Sequence, residues 1–280
     1  MPNYIWFFLL TILAALLFIY TLSKKDKSKV FSVYFFITGL SYIFDYLVFV
    51  LGNAYSYHPH FFDEKWFDYF YGSSVSQAMA VPMIAVFLTT FNLSFVWYFL
   101  SALLLIAIEW MFVRFGLYVQ HWWNYFYTFI FLLACFFSTL KWQTMLDRPR
   151  NSVKFWTMFL CIVFIEDTMT FYRVALFHTN LYSPGWFSDP IRDHIAGNAV
   201  ATFVFSIFVT IGIIYRFPWY GYGLLLASNC FIDIALIHTG YLHIAPFWNL
   251  FYSTSLSAIM IVLYRWIYSK LFLSEEHLGK

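Results

Sequence analysis

Apolar residues run along this chain in long blocks separated by short polar stretches. The blocks fall at about 4–22, 31–52, 75–92, 95–113, 123–140, 155–177, 195–215, 219–238 and 247–268. Each is long enough, as a helix, to cross a bilayer core of about 30 Å. The pattern predicts an all-α polytopic integral membrane protein with about nine transmembrane helices. Pro82 lies inside the third block, where neighbouring helices can satisfy the carbonyl it frees, so a kink is expected there. The stretch from Tyr55 to Tyr71 mixes His58, His60, Asp63, Glu64, Lys65 and Asp68 with many aromatics. It is too polar to span, and it is expected to lie in the outer headgroup layer, aromatics towards lipid.

Composition agrees. Hydrophobic residues make up 62% and charged residues 11% of the 280 positions. A soluble domain carries about a quarter charged residues, so the solvent of this chain is lipid and its first partner is the bilayer. The net charge of +2 argues against nucleic acid. Cys135, Cys161 and Cys230 lie within apolar blocks without CxxC spacing, and they read as buried small hydrophobes.

The charges that remain set an orientation. Lys24, Lys25, Lys27 and Lys29 follow the first block, which lacks the preceding charge and small-residue cleavage site of a secretory signal. With the amino terminus outside, one side collects Lys24, Lys25, Lys27, Lys29, Lys141, Arg148, Arg150, Lys154, Arg216, Arg265, Lys270 and Lys280. Those are 12 of the 16 basic residues. The other side receives Lys65, Arg114, Arg173 and Arg192. The positive-inside rule then predicts a cell-membrane protein with its carboxyl terminus in the cytoplasm.

The chain also repeats itself. Glu109, Gly116 and Trp123-Asn124-Tyr125-Phe126-Tyr127 are echoed by Asp233, Gly240 and Trp248-Asn249-Leu250-Phe251-Tyr252. Weaker echoes pair Ser32-Val33 with Ser152-Val153, Asp45 with Asp167, Trp66-Phe67 with Trp186-Phe187, and Gln77-Ala78 with Asn198-Ala199. The period is about 120 residues. The expected layout is an N-terminal helix and basic stop (1–30), a four-helix repeat (31–145), a cytoplasmic linker (146–151) and a second four-helix repeat with a short tail (152–280). An even number of spans makes the two repeats parallel.

Five acids fall within spans: Asp45, Glu109, Glu166, Asp167 and Asp233. By helical rise Asp45 and Glu109 sit roughly 10 Å or less below the surface. An ionisable group facing lipid costs about 3 kcal/mol or more, so these should face the bundle interior. Asp45, Glu109, Asp167 and Asp233 are therefore the candidate ligand-binding residues, two from each repeat, at an outward-open site between the repeats. The bland reading is that they hold helices together by hydrogen bonds. Arg173, seven residues after Glu166, is placed to neutralise it or to snorkel to the headgroups. Asp193, His194, Asp233, His238 and His243 form a secondary set with acid–base or metal-ligating chemistry, but their spacing matches no metal signature. Trp123-Asn124 and Trp248-Asn249 read as belt tryptophans followed by helix-capping asparagines. There is no Walker A loop, GxGxxG, GxSxG or paired-glutamate protease motif, so no cofactor and no metal is expected.

In each half, an acid in the first span, an outer aromatic loop, an acid in the third span and a Trp-rich start to the fourth resemble uncharacterised four-span membrane proteins of spore-forming bacteria. The residues are Asp45, Phe67-Asp68, Glu109 and Trp122-Trp123, then Asp167, Asp233 and Trp248, with Phe187-Ser188-Asp189 in place of Phe-Asp. The resemblance covers about 31–140 and 152–268, and it implies the layout and no activity. The expected function is binding or transport of a small molecule or ion. The alternatives are a membrane-embedded enzyme acting on a lipid or apolar substrate, and a structural or partner-binding membrane protein.

Overall fold

The computed structural model describes residues 2–273; the tail 274–280, with Lys280, lies outside the described residues. Among these there are nine continuous helices: α1 (Tyr4–Lys24), α2 (Lys27–Leu51), α3 (Lys65–Thr90), α4 (Phe95–Arg114), α5 (Tyr125–Met145), α6 (Asn151–Phe177), α7 (Pro190–Ile214), α8 (Trp219–His238) and α9 (Leu250–Leu273). Eight of the nine are long and apolar enough to cross a membrane, α6 being the one outside that set. Two short ribbons complete the fold. β1 (Tyr55–Tyr57) pairs antiparallel with β2 (Tyr118–Gln120), and β3 (Asn180–Tyr182) with β4 (Leu242–Ile244). Chain contacts divide the molecule into two compact units, Met1–Pro149 and Arg150–Lys280.

In the first unit α3 is central, packed by α1, α2 and α5, while α4 lies against α5. α3 corrects an expectation from the sequence. Residues 65–74 are not a segment separate from the spanning helix; they are its first turns. Trp66, Phe67, Phe70 and Tyr71 are buried within the unit. The polarity of this stretch is absorbed locally. The Asp68 carboxylate accepts the backbone N–H groups of His60, Phe61 and Phe62 at 3.0, 2.7 and 3.1 Å. One side chain thus folds the preceding loop onto the start of the helix.

Farther along, α3 widens into a π turn at Val75–Ala80, immediately before Pro82. The carbonyl that proline leaves free is that of Ala78, and the buried Tyr34 hydroxyl of α2 donates to it at 2.9 Å. α2 has a π turn of its own at Tyr46–Leu51, directly after Asp45. At the end opposite the ribbon, Lys29 and Asp147 form an ion pair that ties the start of α2 to the end of α5.

The second unit contains α6 to α9. α6 and α7 pack along much of their lengths, whereas Tyr222 is the one residue of α8 that is buried. α7 starts at Pro190, earlier than its apolar block, because Asp189 caps it by accepting from the Ile191 and Arg192 amides, both at 3.0 Å. Asp193, one turn in, accepts from the amides of Gly185, Trp186 and Phe187 at 2.9, 2.7 and 3.0 Å.

The turns at Gly116 and Gly240 both lead into ribbon strands. Gly116 has φ +69° and Gly240 φ +78°. Each closes its helix with a left-handed turn, the next residue's amide reaching back to the carbonyl of Phe112 or Leu236 at 2.9 Å. Residues with a side chain are strained there.

Candidate functional site

A cavity of about 310 Å³ lies inside the first unit. Its α5 wall runs from Thr128 to Ser138, about 15 Å of helix, so the space is elongated. Most of the wall is apolar, with Phe44, Leu105, Phe112, Phe131 and Leu132 facing it. Hydroxyl and amide groups of Ser41, Ser76, Gln77 and Ser138 are spread along the wall, and the one carboxylate and the tyrosine phenols lie towards the ribbon. Tyr57 and Tyr118 come from the two strands and Glu109 from α4. The Glu109 carboxylate accepts from the Gln120 side-chain amide at 2.8 Å, so the end of β2 holds the acid in place. Phenols are neutral at physiological pH, and burial pushes those of Tyr57 and Tyr118 still further above their ordinary range.

Trp123 is not a belt residue. It is buried, lines this cavity, and its Nε1 donates to Thr128 Oγ1 at 2.8 Å. Its neighbour Asn124 does cap α5, accepting from the Phe126 and Tyr127 amides. Asn249 does the same for α9 through Tyr252.

Asp45 is buried with both oxygens held. The Tyr55 hydroxyl donates to Oδ1 at 2.7 Å and the Ser73 hydroxyl to Oδ2 at 2.8 Å. These bonds tie α2 to β1 and to α3. Asp167 of the second unit accepts from the Asn198 amide at 3.1 Å, which ties α6 to α7.

The second unit has its own cavity, of about 200 Å³, and it is chemically different. Glu166 and Arg173 of α6 and Asp233 of α8 all line it, with Asn198, Asn229 and Trp248. The Glu166 carboxylate accepts from the Tyr264 hydroxyl at 2.7 Å. The Arg173 guanidinium lies over the Trp248 ring, 5.1 Å from its centroid.

The histidine set looks different in three dimensions. His194 is buried, its Nδ1 accepts the Tyr182 amide at 3.0 Å, and its ring stacks on Tyr182. With Asp193 occupied by three amides, both residues are committed to shaping the loop before α7. His238 and His243 are exposed. Among the described residues no three His, Cys, Asp or Glu side chains gather to hold a metal.

Sequence reasoning missed Tyr55, Ser73, Tyr118 and Gln120. The one usable signal was Gln120, a polar residue placed shortly after Glu109 in an apolar region. Comparison of the chain with protein-family models, with curated proteins and with solved structures finds no match. Fold and cavities define the class: this is an aromatic-rich, multi-pass helical membrane protein.

Proposed function

We propose that the protein binds a small amphiphilic molecule in the cavity of the first unit, its apolar part along α5 and a cationic or hydrogen-bond-donating head at Glu109. The observation that carries this reading is a long apolar cavity with a single carboxylate in its wall. An acid in such a place is costly unless it has work to do or a partner to meet. The proposal moves the site from the seam suggested by the sequence to the interior of a unit. Transport of the bound molecule is the natural extension. The basic residues support an orientation with the amino terminus outside and the ribbon of the first unit facing outwards.

The reading includes descent of the two units from one four-helix module, with α1 added. Support comes from matched local geometry. Asp68 and Asp193 each pin three loop amides. Ser73 meets Asp45, and Asn198 meets Asp167. His60 and Gly185, and Asn92 and Arg216, share positive φ. This register pairs Ser73 with Asn198, and Phe61-Phe62 with Trp186-Phe187. It displaces the sequence echoes of Trp66 with Trp186 and of Gln77 with Asn198.

The test is photolabelling in lipid nanodiscs with a diazirine-bearing long-chain amine. Label is expected on the α4 and α5 peptides that line the cavity, and Glu109→Gln should lower it by at least fivefold. Labelling that is the same in Glu109→Gln, or confined to lipid-facing peptides, contradicts the proposal. A purely structural protein is the second reading, favoured by the complete hydrogen bonding of Asp45; it predicts no saturable labelling.

A further inference from the structure

We propose that the cavity of the second unit binds a zwitterionic group, its anionic end at Arg173 and its ammonium end at Asp233. Both side chains line the same space, from different helices, together with Glu166. The guanidinium is within electrostatic reach of both acids, yet neither acid closes an ion pair with it among the described residues. Its Nε is buried without a hydrogen-bond partner. Opposite charges left apart in a low-dielectric interior are each underpaid in solvation, and that cost falls when a group bridges them.

The charge pattern selects the ligand. A lone cation satisfies the carboxylates but faces the guanidinium. A lone anion satisfies Arg173 but faces Asp233 and Glu166. A group carrying both charges meets every one of them in its preferred sense. The rest of the wall suits a compact polar group. Asn180, Asn229, Ser253 and Ser257 supply neutral donors and acceptors, and Trp248 supplies a ring face. A volume of about 200 Å³ holds an amino-acid-sized group, more than a single water. Two sources share this chemistry: an ethanolamine phospholipid headgroup and a free amino acid.

The full chain in detergent is titrated with glycerophosphoethanolamine and with serine, and separately with ethanolamine and with inorganic phosphate, reading the melting midpoint. At least one zwitterion is expected to bind tenfold or more tightly than either single-charge probe. Selective retention of phosphatidylethanolamine over phosphatidylglycerol in native mass spectrometry assigns the site to a headgroup; preference for serine assigns it to a solute. Equal or weaker binding of both zwitterions relative to the single-charge probes overturns the proposal.

Arg173→Gln and Asp233→Asn are each expected to lose tenfold in affinity for the preferred zwitterion, while His243→Ala, at an exposed position, retains it. Unchanged affinity in either of the first two overturns the proposal. If Arg173→Gln is not recovered folded, Asp233→Asn decides alone. The inference does not rest on the first unit, since Glu109→Gln is expected to leave this binding unchanged.

Discussion

Asp45 is the clearest case of a residue whose partners decide its role. Both of its oxygens are engaged by neutral hydroxyls within a buried setting. Asp45→Ala leaves the Tyr55 and Ser73 hydroxyls without an acceptor and should destabilise the protein by roughly 2–4 kcal/mol, against about 1–2 kcal/mol for Tyr55→Phe. Chemical unfolding of the purified protein checks both, and equal, negligible effects would sink this assignment. His58, in the loop before α3, is expected to contribute a pH dependence to stability. Burial, and then the neighbouring His60, lower its pKa, against the pull of Asp68. A histidine with a lowered folded pKa stays neutral in the fold while the unfolded chain takes up a proton. Stability is therefore lost as pH falls through the ordinary value of about 6.5. His58→Asn should flatten the fall in melting midpoint between pH 7 and pH 5; an unchanged profile would show that the titration lies elsewhere.

The elements show how close contacts fix the ribbons against the helices. A Cβ on Gly72 would fall 2.3 Å from the Cβ of Tyr57, whereas one on Gly223 meets nothing within 4 Å. Gly72→Ala is expected to displace β1 from α3 and cost about 1–3 kcal/mol, while Gly223→Ala does not destabilise; equal melting points for the two variants would contradict the packing. Asp68 and Asp193 give the matched prediction. Replacing either by Ala orphans three amides, at a cost of about 3 kcal/mol, and the two losses should be similar if the units share an ancestor. Span positions and the capping roles of Asn124 and Asn249 were legible in the sequence, because blocks of apolar residues and first-turn caps are local signals. The start of α3 was not. Its polar residues look like a surface stretch until Asp68 is seen to hold three amides. The ribbons were hidden because Tyr55 and Gln120 are far apart in sequence, and no local pattern announces their pairing.

On the scale of the whole molecule, two helical units each enclose a cavity, and the cavities differ in kind. The first is long and mostly apolar with Glu109 in its wall; the second is smaller and lined by Arg173, Glu166 and Asp233. The sequence singled out these acids as a group but not the different surroundings each one has in the fold. Asp45 and Asp167 hold helices together, whereas Glu109 and Asp233 face open space. That division depends on partners such as Ser73 and Asn198, which the spacing of the acids does not reveal. The most direct test of the account is a cryo-electron microscopy map of the full chain in nanodiscs made from native lipid. The account predicts non-protein density along α5 in the first cavity, ending within hydrogen-bonding reach of Glu109. A well-resolved map in which that space is closed by the chain's own side chains, with Glu109 turned away from it, would contradict the central claim.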